Sequence, residues 1–155
     1  MKATLFVLTL SLFTVSSTAS FAAQASSCPD LTGRYSLDAH PTANSTFLVV
    51  TQTGCAQIDM TWFIGLNKST EYLRPVDGQM HAYGTNGDFT VTERWGWNGA
   101  GLELEQDFTN TSDSTLDSED ATYSLDAAGN LSETAVEFIN GVATDAGSGT
   151  YYRVK

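Results

Sequence analysis

The stretch Asp88-Phe89-Thr90-Val91-Thr92-Glu93-Arg94-Trp95-Gly96-Trp97-Asn98-Gly99-Ala100-Gly101-Leu102-Glu103-Leu104-Glu105-Gln106-Asp107-Phe108-Thr109 decides the fold class. Two runs of alternating residues flank an Asn-Gly dipeptide, the pair that tolerates the positive φ angles of a tight hairpin turn. Taking Asn98-Gly99 as a two-residue loop sets Trp95 opposite Leu102, Glu93 opposite Leu104, Val91 opposite Gln106 and Phe89 opposite Phe108. These residues form a mainly apolar face. Arg94 with Glu103, Thr92 with Glu105 and Thr90 with Asp107 form the opposite, charged one. Because side chains alternate with period two, this separation of faces supports the strand assignment.

The same logic extends outward. Asn86-Gly87 and Asp77-Gly78 read as further hairpin loops, which sets Gly84 beside Phe89, Ala82 beside Val91 and Met80 beside Glu93. In that register Leu73 joins the inner face, while Tyr72, Arg74, His81, Tyr83 and Arg94 form an outward strip. Ile58, Met60 and Trp62 alternate with Asp59 and Thr61 and are expected to point inward. Strands are expected over 34–38, 46–52, 57–64, 70–76, 79–85, 88–97, 100–109, 122–126, 131–139 and 150–154. The segment 110–120, rich in Ser, Thr and Asp, reads as one long solvated loop.

No helical periodicity follows the N-terminal segment, so the chain reads as all-β. A nearest-neighbour meander of about eight to ten strands either closes or stacks as two sheets, and closure removes unpaired edges. An up-and-down antiparallel barrel is the expectation, with a β-sandwich as the alternative.

The chain has 155 residues, enough for one domain. Met1-Lys2, the apolar run Leu5 to Val15 and the small-residue stretch Ser16 to Ala25 follow the order of a secretory signal peptide, with a cleavage site after Ala22 or, alternatively, at Ala23-Gln24-Ala25. The expected organisation is a signal peptide over 1–22 and a single β-barrel domain over 23–155, secreted or periplasmic. No membrane insertion is expected after signal removal. The formal charge is −11, one unit more negative once Lys2 leaves with the leader. Such a surface argues against nucleic acid and anionic membranes as partners. Two cysteines, Cys28 and Cys55, bound for an oxidising space read as a disulfide.

Catalytic chemistry is hard to assemble from these residues, and no enzyme activity is expected. His40 falls in a loop and His81 points outward, so a histidine-based triad lacks its base. Paired inward carboxylates for glycoside cleavage are missing too, with Glu93 alone on the apolar face. No cofactor is expected. Asp113, Asp117, Glu119 and Asp120 offer oxygens of the kind calcium takes, but a charged loop serves solvation equally, and no metal is expected.

Glu93 on an apolar face is costly to bury without a partner. One reading makes it the polar anchor of a ligand-binding site with Trp62, Trp95, Gln106 and Phe108, Trp97 standing nearby. The other pairs it with Gln106 or an arginine as part of the core.

Leu31-Thr32-Gly33-Arg34-Tyr35 resembles the Gly-x-Trp opening shared by lipocalins and avidins, with Tyr35 in the tryptophan position. Tyr151-Tyr152-Arg153 resembles the last strand of lipocalins, where an arginine packs over the opening aromatic. The resemblance implies a small secreted barrel that holds a small apolar or amphipathic ligand, with Gly33, Tyr35 and Arg153 as structural residues. Bacterial metalloproteinase inhibitors look similar in their opening and early disulfide. That likeness implies instead a protein partner, with the barrel as scaffold and 26–31 as its contact; independently, the exposed tyrosines and arginines of the outward strip suit a protein contact.

Overall fold

The computed structural model describes residues 28–99 and 101–155, so the expected signal peptide lies outside the described residues. Ten antiparallel strands follow in chain order: β1 (Gly33–Ser36), β2 (Thr46–Thr53), β3 (Gln57–Ile64), β4 (Asn67–Pro75), β5 (Met80–Asn86), β6 (Phe89–Asn98), β7 (Gly101–Asn110), β8 (Leu116–Leu125), β9 (Leu131–Ile139) and β10 (Val142–Arg153). They form one sheet in the order β4-β3-β2-β1-β10-β9-β8-β7-β6-β5. Consecutive strands pair except β4 with β5, and β1 joins β10. Strands β4 and β5 end the order and, among the described residues, do not pair. The Asp77-Gly78 loop is therefore a connection across a seam, not a hairpin.

The β6–β7 hairpin has the expected faces and shifted partners. Asn98 pairs with Gly101, so Trp95 faces Leu104, Glu93 faces Gln106 and Val91 faces Phe108. The shift is two residues, an even number, so every side chain keeps its face. Across the next turn Asn86 pairs with Phe89, and then the register slips between Ala82 and Thr85, where Gly84 takes a φ of +91°. That bulge adds an odd step. His81 now stands opposite Glu93, and Met80 opposite Arg94. His81 and Tyr83 consequently turn inward, while Met80 is 44% exposed.

Strand β4 takes its register from β3, with Met60 opposite Tyr72 and Ile58 opposite Arg74. Tyr72 and Arg74 face the interior and Leu73 is 54% exposed, the reverse of the sequence expectation. Of the expected outward strip only Arg94 stays outside, where it pairs with Glu105.

Two strands are longer than expected by five residues or more. Strand β8 begins at Leu116, inside the expected loop, and β10 begins at Val142 rather than near Thr150. A turn at Asn140 and Gly141, with φ of +50° and +76°, folds β10 back on β9.

The core lies toward the end where β1 begins. Tyr35, Leu48, Val50, Ile58, Met60, Trp95, Leu102, Leu104, Tyr123, Leu131 and Tyr151 pack there from eight strands with Leu31 of the N-terminal segment. Leu31 is held by its amide donating to Gln52 Oε1 at 3.0 Å, while Gln52 Nε2 donates to the Pro29 carbonyl at 3.1 Å. The Cys28–Cys55 disulfide, Cα atoms 5.6 Å apart, ties the segment to the β2–β3 turn. Hydrophobic burial thus closes one end of the barrel. At the opposite end Ile64, Leu66, Ile139 and Val142 are exposed.

Tyr35 shows why a glycine precedes it by two. Its ring folds back over Gly33, where an added Cβ would lie 2.9 Å from the ring, and its hydroxyl donates to the Leu31 carbonyl at 2.8 Å. Arg153, opposite Tyr35 in the β1–β10 pairing, lies with its guanidinium carbon 5.8 Å from that ring's centroid and donates to the Thr32 carbonyl at 2.8 Å.

Candidate ligand cavity

Above the packed end, the inner faces of β3, β4, β6, β7 and β8 line a half-open cavity of about 190 Å³. Met60, Trp62, Tyr72, Trp95, Leu104, Gln106, Glu119 and Tyr123 line it. Of the residues the sequence suggests, Trp62, Trp95 and Gln106 are brought together here. Phe108 stands two residues further along β7 toward the open end, half-buried. Trp97 lies toward the closed end and donates from Nε1 to the Cys55 carbonyl at 2.9 Å.

The polar centre of the interior is Glu93, 1% exposed. Oε2 accepts from Arg74 Nε at 2.5 Å and Trp95 Nε1 at 3.0 Å. Oε1 accepts from Gln106 Nε2 at 2.8 Å and Arg74 Nη2 at 3.3 Å. Burial acts to raise its pKa, but the hydrogen bonds from Arg74, Trp95 and Gln106 and the charge of Arg74 outweigh it, so the carboxyl is held below its ordinary value. Glu93 is therefore a charged residue whose acceptors are occupied from within the chain. Arg74 is similarly engaged. Its remaining terminal nitrogen donates to the Leu73 carbonyl, and its guanidinium carbon lies 3.7 Å from the Tyr83 ring centroid and 5.1 Å from that of Tyr72. No buried side-chain polar atom lacks a partner among the described residues.

Glu119 is in the opposite condition. It sits across from Gln106 and Glu137 on the neighbouring strands. Burial first, and then the charges of Glu133 and Glu137, push its pKa up. The sequence pattern assigns Glu119 to a loop, since nothing in Leu116-Asp117-Ser118-Glu119-Asp120 alternates apolar with polar. Glu133 in turn accepts from the Tyr151 hydroxyl at 2.5 Å, which with burial raises that phenol's pKa. Tyr123, opposite Glu133, is raised by burial and by the same charge.

The lysines and arginines among the described residues stand elsewhere. Arg34 is exposed over the Phe47 ring, Lys68 pairs with Glu71, Arg94 with Glu105, and Arg153 lies at the closed end. Arg74 faces the interior but is neutralised by Glu93, and no lysine or arginine among the described residues lines the cavity. His81 faces inward but pairs with Asp77, 3.0 Å from its Oδ2. Asp113, Asp117, Glu119 and Asp120 do not converge. Asp113 caps the Thr115 amide, and within β8 Asp117 and Glu119 face inward while Asp120 faces outward.

No protein-family profile matches the chain, and no similar sequence is found among characterised proteins. Solved structures do share its fold. A protein described as the REP1-NXSQ fatty acid transporter superposes with a TM-score of 0.51 at 10% identity, over 81% of this chain and 96% of that one. A secretory abundant heat soluble protein from Ramazzottius varieornatus gives a TM-score of 0.51 at 11% identity, over 81% of this chain and 97% of that one. The fold these structures share with this chain is a ten-stranded antiparallel β-barrel. At such low identity the likeness concerns architecture alone.

Proposed function

We propose that this protein is a secreted binding protein that holds a small amphipathic ligand in its barrel and carries out no catalysis. The observation behind this reading is the mid-barrel cavity, walled by Trp62, Tyr72, Trp95 and Tyr123 and floored by the packed core. A barrel of this size filled with side chains would leave no such space. At about 190 Å³ the cavity is smaller than the roughly 300–1,000 Å³ of drug-sized pockets. It suits a small molecule, or one end of a longer one whose remainder leads toward the open end past Phe108. The solved neighbours include a protein named as a fatty acid transporter, which agrees with a binding role for this architecture. The disulfide and the N-terminal apolar segment agree with export.

N-phenyl-1-naphthylamine, an uncharged apolar fluorophore, tests the reading on the folded, oxidised protein. Saturable fluorescence enhancement at one site, lost in Trp62→Ala with unchanged circular dichroism, is the expected result. No enhancement, or enhancement indifferent to Trp62→Ala and Tyr72→Ala, overturns it.

A further inference from the structure

We infer that the cavity selects an organic ammonium group, with Glu119 as counter-charge and Trp62, Tyr72 and Trp95 as the aromatic walls; this rests on the binding reading above. The inference follows from the unequal state of the two interior glutamates. Glu93 is saturated by Arg74, Trp95 and Gln106 and offers nothing further to a ligand. Glu119 lines the cavity, faces Gln106 and Glu137 across the ladder, and carries a charge its surroundings oppose.

A carboxylate ligand would enter a space that no lysine or arginine among the described residues lines, and would stand beside Glu119, which already has Glu137 opposite it and the charge of Glu133 nearby. Repulsion and desolvation both act against it. An ammonium ion meets the reverse. Its charge relieves Glu119, and its carbon-bound surface packs on indole and phenol faces, which attract cations through their quadrupoles. Tryptophan is the strongest such partner, and two line this cavity. The available volume fits a trimethylammonium headgroup with the first part of a chain.

The test compares three ligands with one tail: octyltrimethylammonium, octanol and octanoate, titrated against the full oxidised protein by calorimetry and intrinsic tryptophan fluorescence. The expected result is that octyltrimethylammonium binds about tenfold or more tighter than octanoate, the size of one cation–π contact plus a partly screened ion pair. Glu119→Gln should remove most of that preference while octanol affinity stays. Trp62→Leu should weaken the cation more than the alcohol. Glu103→Gln, which removes a charge from the outer face, should leave the preference intact and so separates a local effect from the protein's general acidity. Octanoate binding as tightly as the cation, or a preference that survives Glu119→Gln, overturns the inference while leaving a binding barrel in place. If none of the three binds, the cavity is not a binding site and the parent reading fails with it.

Discussion

Arg74 on β4 and Glu93 on β6 are joined at 2.5 Å across the seam where β4 and β5 leave the ladder unpaired. The pair does the closing that backbone hydrogen bonds do elsewhere in the barrel, and it does so from inside. Breaking it leaves a carboxylate at 1% exposure without its counter-charge. Arg74→Met should therefore destabilise the protein by about 3–5 kcal/mol. The double change Arg74→Met with Glu93→Gln should recover much of the loss, because the neutral amide carries no buried charge and its carbonyl still accepts from Trp95 or Gln106. Urea unfolding of the single and double variants measures both.

The two interior glutamates should respond oppositely to pH. Glu93 has a folded pKa below its ordinary value of 4.5, so its contribution is present above that value and fades as pH falls through the folded one. Glu119 has a folded pKa above 4.5, so it favours the folded state at acidic pH and disfavours it once ionised. Glu119→Gln should accordingly raise the urea midpoint at pH 7 and change it little at pH 4. Equal gains at both pH values would show that the charge of Glu119 is not the cause.

Gly33 has no room for a methyl group. An added Cβ would stand 2.9 Å from the Tyr35 ring, which is fully buried and tied to the Leu31 carbonyl. Gly33→Ala should cost about 1–3 kcal/mol, as overpacking of a filled core does. The melting temperature measures this, and a larger residue's tolerance at Gly33 would show that the ring is free to move.

Reduction of Cys28–Cys55 should lower stability by roughly 3–4 kcal/mol on the chain-entropy account. Its structural reach is specific, since Gln52 holds Leu31 against the core only while the N-terminal segment stays on the β2–β3 turn. Denaturation with and without reductant measures the loss, and hydrogen exchange at the Leu31 amide should rise with it.

The fold is legible in the sequence where one face is dry and the other wet. The β6–β7 hairpin meets that condition, and a register difference of two residues there leaves every face correct. Strands β4 and β5 do not. The odd step at Gly84 and the unpaired seam put Tyr72, Arg74, His81 and Tyr83 inside, although Leu73 is the residue that hydrophobic alternation selects. Arg74 is inward because Glu93 is, a relation between strands that no local pattern carries. The first half of strand β8 reads as loop because it is polar on both faces, as suits the open mouth of a barrel. The first half of β10 is hidden by its glycines and small polar residues, even though Asn140-Gly141 is the same turn dipeptide that locates other hairpins. In the cavity, Trp62, Trp95 and Gln106 follow from alternation, whereas Tyr72 and Glu119 require the register.

The seam has a consequence for how these molecules behave when crowded together. A barrel that stops short of full closure carries two borders with free backbone donors and acceptors, each a template on which a strand from another molecule can add. Here both borders are poor templates. Strand β4 displays Lys68 and Glu71 and has a register slip opposite Trp62 and Phe63, and β5 is bent by its own bulge. Edge charges and bulges are the devices by which sheet proteins resist joining edge to edge. The irregularities that obscure the register thus also leave the open seam a poor template for a strand of a neighbouring molecule.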